Sequence, residues 1–389
     1  MGYAFDLDDV AFLRSEAGRD ALAALADRPL SSASRLTDVT AARDLAGARF
    51  ASAALETAVL RRRAESKLDN AREWLFTADA LQQATTATVA RHRARRLTGR
   101  DVHDVTCSIG ADLREIAAVA DRCIGSDLDE VRLAMARHNL GPGVALARAD
   151  ALRPVSTGTA IVADPARRDD AGRRRWNPAD LVPPLDELLE VHAGRDVVVK
   201  CAPGLDFDAI PGGAEIEIVS LAGQVREAAV WLGGLADPEV RRRATVLRAD
   251  GGRDELTDDE SDECPVLDAG EWIVDPDGAV VRAGLVRQYA ARHGLAQLDP
   301  RIAYLTGDRP PPGVRAFRVL DHGRYSEKTL RSLLRRHDVG RLEIMARGVD
   351  IDPDALRRKL KPRGAAEATV VLTRIGSTPF AYLCRAERT

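Results

Sequence analysis

Residues 101–110 read DVHDVTCSIG: an apolar-leaning run that ends on Asp104, passes Thr106, Ser108 and Gly110, and gives way to the helical spacing of ADLREIAAVA. A strand that turns so directly into a helix needs a crossover, and the strand beyond it then lies parallel to the first. The chain repeats this alternation. RCIGSD precedes LDEVRLAMARHNL, GVALARAD and TAIVADP follow, PLDELLEVHA reads as a helix, and RDVVVKC, AEIEIVSL and RRATVLRAD read as further strands. Short strands alternating with helices predict an α/β domain over residues 98–249, a parallel sheet wound with helices on both faces.

On either side the pattern changes. Residues 1–97 carry apolar positions at helical spacing, as in EAGRDALAALAD and DALQQATTATVARHRARRL, and predict a helical N-terminal region. Residues 250–280 hold twelve acidic residues against one basic residue, Arg253, and predict a solvated acidic linker. Residues 281–389 then form a separate unit, broken by DRPPPG at 308–313. Its tail runs AFRVLDH, SEKTLRSLLRRH, VGRLEIMARG, DPDALRRKL, ATVVLTRIG and TPFAYLCR, which predicts strand, helix, strand, helix, strand, strand: a small α+β domain with helices on one face of an antiparallel sheet. From 301 to 389 there are 19 Lys and Arg against 10 Asp and Glu, a surplus of nine positive charges that suits a polyanionic partner.

The bulk numbers exclude several classes. A length of 389 residues exceeds one ordinary domain, and 45% hydrophobic with 30% charged residues is the balance of a globular protein. No uninterrupted apolar run approaches the roughly 18 residues of a membrane helix. The start, MGYAFDLDDV, lacks a basic region followed by an apolar stretch, so the expected location is cytoplasmic. Five cysteines at 107, 123, 201, 264 and 384 show no C-x-x-C pair, which argues against a disulfide framework and against a metal site.

In an open parallel sheet, ligands sit beyond the carboxyl ends of the strands. Four such ends fit one pattern. The first carries Asp104, Thr106, Cys107, Ser108 and Gly110; the second, roughly 20 residues on, carries Asp127 and Leu128; the third carries Asp150 and Ala151; the fourth carries Asp164 and Pro165. Their order resembles the class I S-adenosyl-L-methionine-dependent methyltransferases over residues 98–249. The resemblance implies that Asp104 and Thr106 to Gly110 cradle the methionine part of the cofactor, that Asp127 with Leu128 holds the ribose hydroxyls, and that Asp150 and Ala151 flank the adenine. The usual glycine-rich loop is reduced here to one glycine, with Thr106 and Ser108 where glycine is common. A nicotinamide dinucleotide enzyme shares the fold but needs a fuller G-x-G-x-x-G, because a pyrophosphate sits on that turn. The bland alternative is that Gly110 is a simple turn and Asp127 a helix cap.

Amino methyltransferases of nucleic-acid bases typically show Asn/Asp-Pro-Pro and an aromatic after the fourth strand. Asp164 and Pro165 match, while Ala166 and Arg167 stand where the second proline and the ring would be. The likeness implies that Asp164 and the backbone near Pro165 orient an exocyclic amine, and that Arg167 or Arg168 stacks on a base or pairs with a phosphate. With GRRRW at 172–176, VVVKCAPGLDF, the C-terminal LRRKLKPRGAAEATVVLTRIG and the lead-in FTADALQQATTATVARHRARRL, the chain resembles a narrower bacterial family of methyltransferases with a THUMP-like C-terminal domain. That likeness implies a Rossmann-like sheet, a helical lead-in, a ferredoxin-like or THUMP-like α+β domain, RNA (rRNA or tRNA) as partner, and Lys200 facing the cleft of Asp164. Other readings stay open: a solvated loop at Arg167 and Arg168, a plain salt bridge at Lys200, and a nucleophilic Cys107 or Cys201. His103, His138 and His192 show no metal spacing and read as surface or helix positions. A methyltransferase of small molecules or proteins, or an RNA-binding module without catalysis, would carry the same fold.

Overall fold

The computed structural model describes residues 2–167, 181–204, 206–207, 210 and 212–388. The chain forms two compact units: Met1–Ile216 with Arg226–Pro238, and Glu217–Val225 with Glu239–Thr389.

In the first unit, helices α1 (Leu7–Arg14), α2 (Glu16–Ala26), α3 (Arg35–Ala64), α4 (Ala78–Gln83) and α5 (Ala87–Ala94) lead in. The sequence marks their starts. Asp6 and Asp9 form a reciprocal capping box on α1, Ser15 caps α2 and Thr77 caps α4, each side chain accepting a backbone N–H that the helix leaves unpaired. Gly47 breaks α3 with a φ of 71°, a backbone state that costs glycine little. Leu13, Leu25, Leu60, Trp74 and Phe76 bury one common core, and Ile109 and Met135 belong to it. The helices expected at 1–97 therefore share a core with residues of the segment that follows.

That sheet is built from β1 (Asp101–Asp104), β2 (Arg122–Asp127), β3 (Ala145–Arg148) and β4 (Ala160–Ala163), with α6 (Ala111–Ala117) and α7 (Glu130–Leu140) as crossovers. A small antiparallel pair, β5 (Ala166–Arg167) and β6 (Leu181–Val182), then α8 (Leu185–Val191), precedes β7 (Val197–Cys201). β8 (Glu215–Leu221) and β9 (Gln224–Leu232) follow. Within this unit the strand order is β9-β7-β4-β1-β2-β3, parallel from β7 to β3 and antiparallel between β7 and β9. Strand β9 is an addition to the alternation read from the sequence. Its apolar half, AAVWL, follows the polar Gln-Val-Arg-Glu, and its two-residue turn is Ala222-Gly223 at φ 51° and 78°, without the Asn-Gly or Asp-Gly that announces such a hairpin. Val102, Val162, Val198 and Trp231 fill one face of the sheet.

The second unit, which takes in Glu217–Val225 and hence most of β8, continues from Glu239 with the antiparallel pair β10 (Arg242–Leu247) and β11 (Arg253–Thr257). Next come β12 (Trp272–Val274), α9 (Gly278–Ala283), α10 (Val286–His293), β13 (Ala296–Gln297) and β14 (Leu305–Gly307). Then follow β15 (Arg315–Arg324), α11 (Glu327–Arg336), β16 (Val339–Ala346), α12 (Pro353–Leu360), β17 (Ala366–Ile375) and β18 (Thr378–Arg388). The last six elements keep the order that the sequence predicts. Their sheet, β13-β14-β12-β15-β18-β17-β16, is mixed and not wholly antiparallel, because β16 and β17 are joined by the α12 crossover and run parallel. Along β17, Val370 and Leu372 face a core with Leu330, Leu333 and Leu356, while Val371 faces one with Phe317, Tyr304 and Tyr382. Both faces of this strand are thus covered. Residues 250–280, expected as a linker, hold β11 and β12, and their acids are matched by arginines: Arg292 with Glu260, Arg287 with Asp262, and Arg347 with Asp275. Those partners lie beyond the segment, so its local charge gave no sign of them.

Candidate active site

The site grows from the carboxyl ends of β1, β2, β3, β4 and β7. β1 lies between β2 and β4, and this central position buries Asp104, which is 3% exposed. Burial, with the negative charges of Asp112 and Asp164 added, pushes its carboxyl well above the ordinary carboxylate range. Its Oδ1 accepts the Thr106 N–H at 3.1 Å. Ser108 takes a φ of 49°, in the left-handed region, and its N–H donates to Asp127 Oδ2 at 2.9 Å. The other Asp127 oxygen accepts the Asp129 N–H at 2.9 Å. The second strand end therefore clamps the loop of the first.

Gly110 makes the turn into α6 at a φ of 85°, and a Cβ there would fall 2.8 Å from Leu140 Cδ1. Only glycine suits both the backbone and the close approach of α7. Cys107 donates its N–H to the Ser126 carbonyl, and its thiol packs with Leu113 and Val144. Burial first, then the charges of Asp104 and Asp127, push that thiol well up; Cys201 is pushed up to about 12 by burial and by Asp164 and Glu227. Both thiols therefore resist ionisation, which disfavours either as a nucleophile.

Asp104, Thr106, Cys107, Ser108, Asp127, Leu128, Asp150, Ala151 and Asp164 come together around a cavity of about 520 Å³; Gly110 does not line it. Asp150 is oriented by the Leu152 N–H at 2.9 Å, and the Ala151 carbonyl accepts a hydrogen bond from His192 Nε2 at 3.0 Å. The volume suits a small organic cofactor. Its ionisable lining is six acidic side chains, Asp104, Asp112, Asp127, Asp150, Asp164 and Glu187, of which burial disfavours the charged form of Asp104, against Arg132. Such a lining complements a ligand with a cationic sulfur and an ammonium, and repels a pyrophosphate. S-adenosylmethionine fits on those grounds.

At the fourth strand end, the Asp164 N–H donates to Thr106 Oγ1 at 2.6 Å, which joins the first loop to the floor of the site. The Asp164 carboxylate pairs with Lys200 at the end of β7, through Oδ2. The Lys200 ammonium also donates to Thr85 Oγ1 at 2.9 Å, Thr85 donates to Asp112 at 3.1 Å, and Arg93 bridges Asp112 and Glu227, each at 3.2 Å. Burial alone would push the Lys200 ammonium down; the charges of Asp164, Asp112 and Glu227 outweigh it and hold the group above its ordinary value. Thr85, Arg93, Asp112 and Glu227 were not legible as site residues. Arg93 and Glu227 lie 134 positions apart, and no local spacing marks the pair.

Pro165 is buried, and Ala166 and Arg167 enter β5, where Arg167 is opposite Leu181. Arg168 and residues 173–175 lie outside the described residues. A second cavity, of about 600 Å³, has Asp164, Pro165, Lys200, Gln82, Gln83 and Arg226 in its wall, so Asp164 borders both cavities. His103 and His192, read from sequence as surface or helix residues, are buried, each 1% exposed. Ser126 and Ser156 hold the His103 ring, and the carbonyl of Ala151 holds that of His192, so the partners come from other strand ends.

Strand order and a carboxylate-lined cavity at the strand ends define a wound-sheet methyltransferase. In line with this, residues 314–386 match the family model described as THUMP domain-like, and residues 6–64 match one described as a domain of unknown function. A protein of Mycobacterium tuberculosis, found in strains H37Rv and CDC 1551 and named an uncharacterized S-adenosylmethionine-dependent methyltransferase, is 55% identical over 350 residues, 86% of this chain and 97% of its own length. The crystal structure of a protein assigned as a methyltransferase, from Porphyromonas gingivalis W83, superposes with a TM-score of 0.73 at 21% identity, covering 98% of this chain and 99% of that one, a likeness of fold. The chain belongs to the S-adenosylmethionine-dependent methyltransferases that carry a THUMP-like C-terminal domain. S-adenosylmethionine is the cofactor of this family. Among the described residues no helix is long and apolar enough to cross a membrane, and no cluster of three or more His, Cys, Asp or Glu is placed to hold a metal ion.

Proposed function

We propose that the chain methylates a nitrogen of a nucleobase in RNA. The observation that carries the reading is the position of Asp164, whose carboxylate borders the cofactor cavity and the second cavity beside it. Bound S-adenosylmethionine supplies an electrophilic methyl group on a positive sulfur. In this reading Asp104 and the loop from Thr106 to Gly110 hold its methionine part, Asp127 with Leu128 the ribose, and Asp150 with Ala151 the adenine. Lys200 donates to Asp164 Oδ2 and holds the carboxylate in place. Oδ1 then accepts a hydrogen bond from the acceptor amine, directs its lone pair at the methyl carbon, and receives the proton that the amine loses on transfer. The backbone at Pro165 supplies a second acceptor, and Arg167 and Arg168 hold the base or its phosphate.

RNA as the partner, rRNA or tRNA, is supported by the THUMP-like match and by the charge surplus of residues 301–389. A cytoplasmic location accords with a substrate of that kind and with cysteines that are free throughout. The test is transfer of radiolabelled methyl from S-adenosylmethionine into RNA, protein and small-molecule fractions of cells lacking the protein. Label is expected in RNA, with Asp164→Ala lowering the rate by about 100-fold or more while cofactor binding persists. Label confined to protein or small molecules would sink the RNA assignment.

A further inference from the structure

In the helical part of the first unit, a cavity of about 740 Å³ opens among α2, the end of α3, the segment before α4, and helices α6 and α7. Arg19, Arg61, Arg62, Arg72 and Arg114 line it. Of these, Arg61 and Arg114 are half-buried, and a half-buried arginine ordinarily pairs with a carboxylate, since an unbalanced charge out of water is costly. Here backbone carbonyls hold four of the five. Arg62 donates to the carbonyls of Ala26, Arg28 and Pro29; Arg61 donates to that of Trp74 at 2.8 Å. Arg114 donates to the Asn139 carbonyl at 3.0 Å and lies 5.3 Å over the Trp74 ring, and Arg19 donates to the Arg14 carbonyl at 2.8 Å. Arg72 alone of the five pairs with a carboxylate among the described residues, Glu65 at 2.8 Å.

A carbonyl fixes a guanidinium in place without neutralising it. Five positive charges line this cavity against two negative ones, Glu65 and Glu73. Burial pushes the Arg61 guanidinium down to about 10, with only the charge of Glu73 opposing, the mark of a desolvated cation short of a counter-charge. The indole Nε1 of Trp74, also in the wall, is buried without a hydrogen-bond partner among the described residues.

We propose that this cavity binds phosphate, and that the phosphate is that of an RNA backbone flanking the target nucleotide; the choice of RNA rests on the methylation reading above. Guanidinium forks match phosphate oxygens in pairs, and several around one cavity suit a phosphodiester chain. Arg19, Arg62 and Arg72 are exposed, so a strand can reach them. Asn139 ties the site to the cofactor loop: its side-chain amide donates to the carbonyls of Ile109 at 2.9 Å and Leu75 at 3.0 Å and accepts the Leu75 N–H at 2.8 Å. Through Arg114, which donates to the Asn139 carbonyl, the wall of this cavity is thus joined to the cofactor loop.

The test uses the full chain and two variants, the double change Arg19→Gln with Arg72→Gln at exposed positions, and Arg61→Gln. Binding of mixed ribosomal and transfer RNA, and separately of inorganic pyrophosphate, is measured across a salt series. The inference expects each variant to bind RNA roughly fivefold or more weakly, with the log–log salt slope reduced by about 1 to 2, and with S-adenosylmethionine affinity and melting temperature of the double variant unchanged. RNA affinity and slope unchanged in both variants overturn it, and methyl transfer to RNA that continues alongside leaves the methylation reading standing. Pyrophosphate binding that the variants lose, with no RNA bound by the wild type, overturns RNA as the source and assigns the cavity to a small phosphate ligand.

Discussion

His103 shows how far a single residue departs from its sequence reading. Its ring lies 2.8 Å from Ser156 Oγ and 2.9 Å from Ser126 Oγ, and burial, joined by the positive charges of Arg195 and His192, pushes its pKa down from 6.5 to about 4. Between those values the unfolded chain binds a proton that the folded chain refuses. Folding stability therefore falls as the pH drops from about 6.5 to 4, by about 3 kcal/mol for this group. The measurement is chemical denaturation across that window: His103→Gln should lose part of the slope that the wild type shows, and an equal slope in both would refute the assignment. Asp104, Asp127, Asp150 and Asp164 were legible because strand periodicity put each at a strand end, and the fold brings them to one cavity. Thr85, Arg93 and Glu227 were illegible for the opposite reason, since their meaning arises only when distant segments meet.

Among the elements, helices and parallel strands followed from periodicity, while β9, β11 and β12 did not. An acidic stretch reads as solvated unless its arginine partners are known, and these lie further along the chain. The start of β16 carries a constraint of another kind. A Cβ on Gly340 would stand 1.7 Å from the carbonyl oxygen of Gly364, and one on Gly364 1.9 Å from that of Asp338. The two glycines let the chain entering β17 press against β16 where the register shifts between Val339 and Arg341. Gly340→Ala is expected to destabilise the second unit by about 2–3 kcal/mol, through backbone displacement. Thermal unfolding would show it as a lowered transition, with S-adenosylmethionine binding retained below that temperature; an unshifted transition would contradict the close approach.

Taken whole, the molecule carries its charge unevenly. In the second unit Arg331, Arg335, Lys359, Lys361 and Arg363 surround a cavity of about 490 Å³ with Asp338 as the sole acid in its wall. Arg335→Glu combined with Arg363→Glu should weaken RNA binding about tenfold at low salt and leave cofactor affinity unchanged, as read by filter binding and calorimetry. Unchanged RNA affinity would separate this unit from substrate capture. The chain of contacts from Lys200 through Thr85 and Asp112 to Arg93 and Glu227 has a consequence for ancestry. Thr85 and Arg93 come from the helical lead-in, while Asp112, Lys200 and Glu227 come from the wound-sheet segment. Exchanging the lead-in for that of a distant lineage would strand buried charges on both sides of the join. A recombinant that keeps one side of this join must supply matching charges on the other, so a few hydrogen bonds couple the inheritance of the two segments.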